Sequence, residues 1–336
     1  MKRTGDPSGS VGWERECWAT LLVVSAIFLG TEASGLETIY LAITPSKNFQ
    51  HVIYPIAQEK GYMREEGIEL KILIIGGTPS IQGLLAESIH FTVAGTSALI
   101  AAGKGAAPLK VVLAVNDKVH QWLLSKPAIT SPMSLKGKRI VTGGAASSAT
   151  FMLKQILARN GLDPNRDVAY IHQTGGNQLQ ALLAGAVDAA IVGVQERYIG
   201  VDAGMRELFF LGNEVKNSWG TLATSDRLIR EQPKQVSGFI RAALKALRLI
   251  RQDREATIAA HVKFSRVDRS LVTRMYDDLI GTFTRNGTVD QETQENDLAI
   301  IRQIANVSEP LPIGRAYDFS FASAAERQLD QTGWRP

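Results

Sequence analysis

The chain has 336 residues, 45% of them hydrophobic and 21% charged, with a formal net charge of +4. That composition buries the cores of about two globular domains and excludes a disordered or fibrous chain. Basic and acidic side chains are interspersed, as in Arg227, Arg230 and Glu231 or Arg251, Asp253, Arg254 and Glu255, a pattern of solvated helix faces that excludes a nucleic-acid-binding stripe.

A polar stretch with Lys2, Arg3 and Arg15 leads into an apolar run over residues 18–30, then into small residues at Ala33, Ser34 and Gly35. This is the three-part pattern of a secretory signal, expected over residues 1–35. The run falls short of the ~20 residues that span a bilayer. Cys17, the single cysteine, precedes the run. The mature chain is therefore expected to lack cysteine and a lipid anchor, which excludes disulfides, thiolate zinc sites and a cysteine nucleophile. Three of the 37 basic and four of the 33 acidic residues fall in the leader, leaving 34 and 29, a net +5. Export without a lipid anchor places the expected protein in the periplasm.

Residues 38–44 alternate as a short buried strand, and Ser46–Asn48 supply capping residue types before a helical stretch through Gln58. Gly61 and Gly67 punctuate a turn, residues 68–75 are a β-branched strand, and Gly76-Gly77-Thr78-Pro79-Ser80 opens the next helix. This βαβα order predicts a parallel sheet. Ile81-Gln82-Gly83-Leu84-Leu85-Ala86 through Val93-Ala94-Gly95 then reappears 98 positions later as Leu179-Gln180-Ala181-Leu182-Leu183-Ala184 through Ile191-Val192-Gly193. Around the second copy the plan repeats: strand 138–142, helix 148–159, strand 167–173, then Thr174-Gly175-Gly176 and a helix. Two copies predict paired α/β lobes rather than a solenoid, which needs at least three units.

An apolar strand at 111–115 leads into Asn116-Asp117-Lys118, the expected crossing from lobe one to lobe two, and the return is expected near residues 221–225. The lobes are thus read as 36–116, 117–221 and 222–336, the last stretch completing lobe one. Helices are expected from Pro233, with one apolar face at Val236, Phe239, Ile240, Ala243, Leu244, Leu247 and Ile250, and over 269–280, 291–304 and 322–329. Pro310 and Pro312 mark a loop.

The stretch from Pro55-Ile56-Ala57-Gln58-Glu59-Lys60-Gly61-Tyr62-Met63-Arg64-Glu65-Glu66-Gly67 to Ile68-Glu69-Leu70 resembles the sulfonate, taurine and thiamine-precursor binding proteins of the NMT1/THI5-like family. The resemblance continues through Gly76-Gly77, Leu135-Lys136-Gly137-Lys138-Arg139-Ile140, Ala184-Gly185-Ala186-Val187-Asp188-Ala189-Ala190 and the helix over 233–246, so it spans nearly all of the mature chain. It implies an α/β type II periplasmic-binding-protein fold, two lobes that close on a ligand in the cleft between them, and an ATP-binding-cassette (ABC) importer as partner. Where many relatives place a proline after the Asp-Ala pair, this chain has Gln195-Glu196.

In open α/β sheets, ligands bind beyond the carboxyl ends of the strands. The candidates in lobe one are Ser46, Lys47, Asn48, Phe49, Thr78, Ser80, Thr96 and Ser97; lobe two offers Thr142, Ser147, Ser148, Thr174 and Gln195. Several stand at helix starts, where free N–H groups favour an anion, although helix capping accounts equally well for each one. Lys47 would neutralise an anionic ligand, Phe49 and Trp219 would form apolar walls, and Asn116 would face the cleft or form a turn. The ligand classes left open are sulfonates, carboxylates and pyrimidines.

Gly143-Gly144-Ala145-Ala146-Ser147-Ser148 lacks the Gly-Lys-Ser/Thr ending of a phosphate loop. The five histidines have no metal-like spacing, and Glu65-Glu66 and Asp277-Asp278 read as exposed faces. A monomeric, non-enzymatic binding protein is expected, with no cofactor or metal and with a small molecule and an ABC-type permease as partners. A thiamine-pyrimidine-synthase-like enzyme and a ligand-sensing module of the same fold are the alternatives.

Overall fold

The computed structural model describes residues 35–46, 48–105, 107–145, 147–173 and 177–336. The leader at 1–34, with Cys17, and the candidates Lys47 and Thr174 lie outside the described residues.

The strands are β1 (Glu37–Ile43), β2 (Ile68–Ile74), β3 (Phe91–Thr92), β4 (Leu109–Asn116), β5 (Trp122–Ser125), β6 (Arg139–Thr142), β7 (Ala169–His172), β8 (Ala189–Val192), β9 (Arg206–Phe210) and β10 (Trp219–Ser225). The helices up to the return crossing are α1 (Ile53–Glu59), α2 (Tyr62–Glu65), α3 (Gly77–Leu85), α4 (Gly95–Gly103), α5 (Ser148–Arg159), α6 (Gln178–Leu183), α7 (Val194–Asp202) and α8 (Leu211–Glu214). After β10 come α9 (Asp226–Glu231), α10 (Pro233–Gln252), α11 (Arg254–Ser265), α12 (Arg269–Leu279), α13 (Gln291–Ala305), α14 (Ile313–Ala316) and α15 (Ser320–Gln331).

Two five-stranded sheets follow one plan, β2-β1-β3-β10-β4 in lobe one and β7-β6-β8-β5-β9 in lobe two. The expected parallel order holds for β1, β2 and β3 and for β6, β7 and β8, whereas β10 and β5 run antiparallel to both neighbours. The physical reason is the crossing: each odd strand is donated by the chain as it arrives from the other lobe, so it enters its sheet from the cleft side. The starts of β10 and β5 therefore lie at the same edge as the carboxyl ends of the parallel strands. Because β10 begins at Trp219 and already belongs to the first sheet, the return crossing occupies 215–218, ahead of the expected 221–225.

The sequence echo maps onto α3-β3-α4 in one lobe and α6-β8-α7 in the other, so Gly95 and Gly193 stand at equivalent helix starts. Gly95 is held by packing, since a Cβ there would overlap the Thr221 hydroxyl of β10.

α10 starts with Pro233 and buries its apolar face against α1, α2 and α15. The Glu65-Glu66 pair joins α2 to α10; Glu65 is exposed as expected, whereas Glu66 is turned inward. The Glu66 side chain is 10% exposed and bonds the Arg241 guanidinium, while Glu65 accepts from Lys245 Nζ at 2.5 Å. A carboxylate this buried needs a cation or several hydrogen-bond donors beside it, and here Arg241 serves as both. Asp277 and Asp278 are exposed as expected, and Asp278 is engaged by Arg197 and Tyr198. The last part of the chain straddles both halves. Leu298 and Ile301 of α13 enter the core of lobe one, while Ile300 enters that of lobe two.

Candidate functional site

Two adjoining cavities of about 280 and 170 Å3 open at this shared edge and have Asn48, Gln50 and Trp219 in common. The larger is lined from lobe one by Ser46, Asn48, Phe49 and Gln50, from the crossing by His120 and Gln121, from the start of α7 by Gly193, Val194, Gln195 and Glu196, and by Trp219 and Met275. The smaller lies in lobe one, against Thr44, His51, Gly77, the α4 start from Val93 to Ser97, and Ser218 to Thr221. The two echoed helix starts thus both face the cleft.

Phe49 reaches its position through a turn of 3-10 helix, Phe49–Val52, that carries the chain from β1 into α1. Its ring packs on His261 with centroids 4.6 Å apart and edge-on to Phe283 at 5.9 Å. Trp219 is half-buried and stands opposite Asn116 in the β10–β4 register. Gly220 follows in the left-handed region, φ +63, with Gln50 so close that an added Cβ would meet its Cγ at 2.6 Å. The sharp turn and the glutamine are therefore one unit of packing.

The polar lining is rich in groups that lack partners. Gln50 Oε1, His51 Nδ1, His120 Nδ1, Gln121 Oε1 and Trp219 Nε1 are shielded from solvent with no hydrogen-bond partner among the described residues, an arrangement that is costly unless something else supplies the bond. The His120 tautomer follows from its neighbours. Thr282 Oγ1 donates its one proton to Leu279 O at 2.7 Å and accepts from Asn116 Nδ2 at 3.0 Å. His120 Nε2, 2.7 Å from that oxygen, must therefore donate, which leaves Nδ1 as a bare acceptor. Burial lowers the His120 ring to about 3, and burial with the nearby His261 lowers His51 to about 3, so both are neutral at pH 7. Among the described lining residues Glu196 is the one acidic side chain, and none is a lysine or arginine.

Of the residues expected from sequence, Ser46, Asn48, Phe49, Gln195 and Trp219 line the larger cavity and Thr96 and Ser97 the smaller. The others take different places. Asn116 is fully buried behind the cavity, bonded to Thr282. Thr142 is buried, with Oγ1 3.0 Å from His172 Nδ1. Ser147 caps α5, accepting from Thr150 N at 3.3 Å, and Ser148 is the first residue of that helix. Thr78 is an exposed residue in the first turn of α3, and Ser80 is buried with Oγ 2.8 Å from Gly77 O. For Ser147 and Ser80, local hydrogen bonding accounts for the residue type. Gln50, Gln121, His120, Glu196 and Met275 were not foreseen, because a lone amide, histidine or methionine carries no spacing signal. Among the described residues no cluster of histidine, aspartate and glutamate suits a metal ion, and no helix is long and apolar enough to cross a membrane.

Residues 48–257 match the model of the family described as "NMT1/THI5 like". The chain belongs to the NMT1/THI5-like family. A curated relative, the riboflavin-binding protein RibY of Chloroflexus aurantiacus, is 27% identical over 227 residues, covering 63% of this chain and 62% of the relative. This NMT1/THI5-like chain thus spans less than two thirds of that relative's length. Among solved structures, the periplasmic sulfonate-binding protein SsuA of Methylobacillus flagellatus superposes with a TM-score of 0.74 at 16% identity, over 90% of this chain and 97% of the other. The desulfurization enzyme DSZB superposes with a TM-score of 0.62 at 16% identity, over 87% and 99%. The fold is thus that of the periplasmic binding proteins, and it also carries enzymes, so function has to be argued from the site.

Proposed function

We propose that this protein is the exported solute-binding component of an ABC-type importer, and that it takes a small, uncharged organic molecule with a flat apolar body and hydrogen-bonding edges. The observation that carries this reading is the larger cavity, where the half-buried Trp219 supplies apolar surface beside the buried Phe49 and Met275; Gln50, Gln121 and His120 carry polar atoms without partners among the described residues, and Gly193 to Glu196 line the lobe-two side. The lining is more polar than that of most small-molecule sites, with seven polar side chains against Phe49, Val194, Trp219 and Met275, so hydrogen bonds to the ligand edges would carry much of the recognition. The described lining residues bring one acid and no cation, which favours a neutral ligand over a sulfonate. Of the ligands named for similar proteins, riboflavin has that character. Closure of the two lobes about the 117–121 and 215–218 crossings would bring the lining together.

The test is a fluorescence titration of riboflavin with the mature chain, in parallel with thermal shifts in an alkanesulfonate, a pyrimidine and an aromatic carboxylate. At ~100 times its dissociation constant a true ligand adds about 2.7 kcal/mol. Stabilisation by the sulfonate alone would overturn the neutral-ligand reading. Consumption of any of these compounds would favour the enzyme alternative.

A further inference from the structure

Asp297 sits in the middle of α13 with its side chain buried, and among the described residues no cation is paired with it. Its Oδ1 accepts from Ser218 N at 3.1 Å and from Asn217 Nδ2; its Oδ2 accepts from Ser218 Oγ at 2.5 Å and Tyr317 Oη at 2.8 Å. All four lone-pair directions of the carboxylate are therefore used. Three of the four donors belong to two consecutive residues, and those residues are the end of the return crossing. The next residue is Trp219, which lines both cavities. α13 is well placed to hold this segment, because its neighbouring turns enter the cores of both lobes through Leu298, Ile301 and Ile300.

A buried carboxylate without a cation is expensive, and a helix needs none to dock on a loop. What four converging bonds do supply is a fixed backbone and two fixed side chains immediately before a wall of the site. We propose that Asp297 is a positioning residue of the cleft, its carboxylate setting through Asn217 and Ser218 where the Trp219 ring stands. The inference rests on the reading of the cleft as a ligand site, but its first test needs no ligand.

Of the five tryptophans of the chain, Trp122, Trp219 and Trp334 remain in the mature part. Labelling the full mature protein with 5-fluorotryptophan gives resolved fluorine resonances, and the Trp219→Phe variant assigns that of Trp219. Asp297→Ala is expected to move or broaden the Trp219 resonance and to leave those of Trp122 and Trp334 in place. Ser218→Ala, which removes one bond on the crossing, is expected to shift Trp219 in the same direction. Tyr317→Phe, which removes one bond on the other side of the same carboxylate, is expected to shift it less. Should Asp297→Ala not fold, Asp297→Asn and Ser218→Ala make the same comparison with Tyr317→Phe. An unmoved Trp219 in the folded variants, or an equal effect of Ser218→Ala and Tyr317→Phe, would overturn the proposal. With riboflavin as probe, Asp297→Asn and Ser218→Ala should weaken binding about tenfold while Tyr317→Phe leaves it nearly unchanged. If riboflavin does not bind the wild-type chain, the ligand reading fails and the Trp219 resonance still decides the role of Asp297.

Discussion

Arg197 of α7 and Asp278 of α12 form an ion pair that joins the two lobes, and Tyr198 Oη donates to the same carboxylate at 2.5 Å. Arg197 is held on the lobe-two side by Glu207 at 2.5 Å and lies over the Trp122 ring, 5.1 Å from its centroid. One turn away, the start of α7 lines the larger cavity, and so does Met275 of α12. The pair therefore stands directly behind the cleft.

Replacing Asp278 with alanine should accordingly loosen this flank. The carboxylate side chain is 44% exposed, so solvent screening limits the loss to about 1–2 kcal/mol in urea unfolding. Small-angle scattering of the ligand-free variant is expected to show a larger radius of gyration than wild type. Asp202→Asn, which weakens the more exposed pair with Arg274, should leave both measurements essentially unchanged. Equal behaviour of the two variants would mean that Arg197–Asp278 is an ordinary surface pair.

Gly220→Ala faces two obstacles at once, a backbone at φ +63 and a Cβ 2.6 Å from Gln50 Cγ and 3.2 Å from Val115 Cβ. It should destabilise the protein by about 1–3 kcal/mol, seen as a lower melting temperature, and should disturb the cavity that Gln50 and Trp219 share. Gly204→Ala, with φ +85 and open space around it, isolates the backbone part of that cost.

Charge selectivity can be read at Glu196, the acid in the described lining. For an uncharged ligand, Glu196→Gln should change affinity less than about threefold, and Lys47→Ala should behave alike. A tenfold gain in Glu196→Gln with a comparable loss in Lys47→Ala, measured by titration calorimetry, would mark an anionic ligand instead.

Stability should fall in mild acid. Burial lowers His51 and His120 to about 3 and His261 to about 4, against 6.5 in an unfolded chain. Their contribution is complete above pH 6.5 and is lost as pH falls from 6.5 toward 3, because the unfolded chain binds the protons first. Asp297 works in the opposite sense. Burial raises it to about 7 from 3.8, against the bonds from Ser218, Tyr317 and Asn217, so between those values the folded form keeps a proton that the unfolded form releases, and in that protonated form the Ser218 hydroxyl turns from donor to acceptor. Near pH 5 these four groups together take up about two protons on unfolding, a slope of about 2–3 kcal/mol per pH unit. Urea midpoints at pH 5 and 6 test this, and Asp297→Asn should make the slope steeper.

Much of the plan was legible in the residues. The repeated Leu/Ile-Gln-x-Leu-Leu-Ala stretch located the equivalent helices α3 and α6 and, one strand later, the helix starts at Gly95 and Gly193. Pro233 and the apolar stripe behind it located α10, and Ser46, Asn48 and Phe49 were placed at the cleft from their position after the first strand. Thr142 and Ser147 follow the same rule in lobe two but are turned to local hydrogen bonds, because a hydroxyl satisfied within its own turn gives the same sequence signal as one waiting for a ligand.

What the sequence determined by itself was whatever depends on neighbours a few positions apart: the alternation of strands, the stripes and caps of helices, the duplication, and hence two α/β lobes. Only the tertiary structure decided which strand crosses back and in what sense, since the antiparallel entry of β10 depends on sheet pairing between residues about a hundred positions apart. That pairing brings Gln50, His120, Gln121 and Trp219 to one cavity and sets Asp297 against Ser218. None of these contacts leaves a periodic trace, because a buried polar side chain is specified by its partner across the fold and not by its place along the chain.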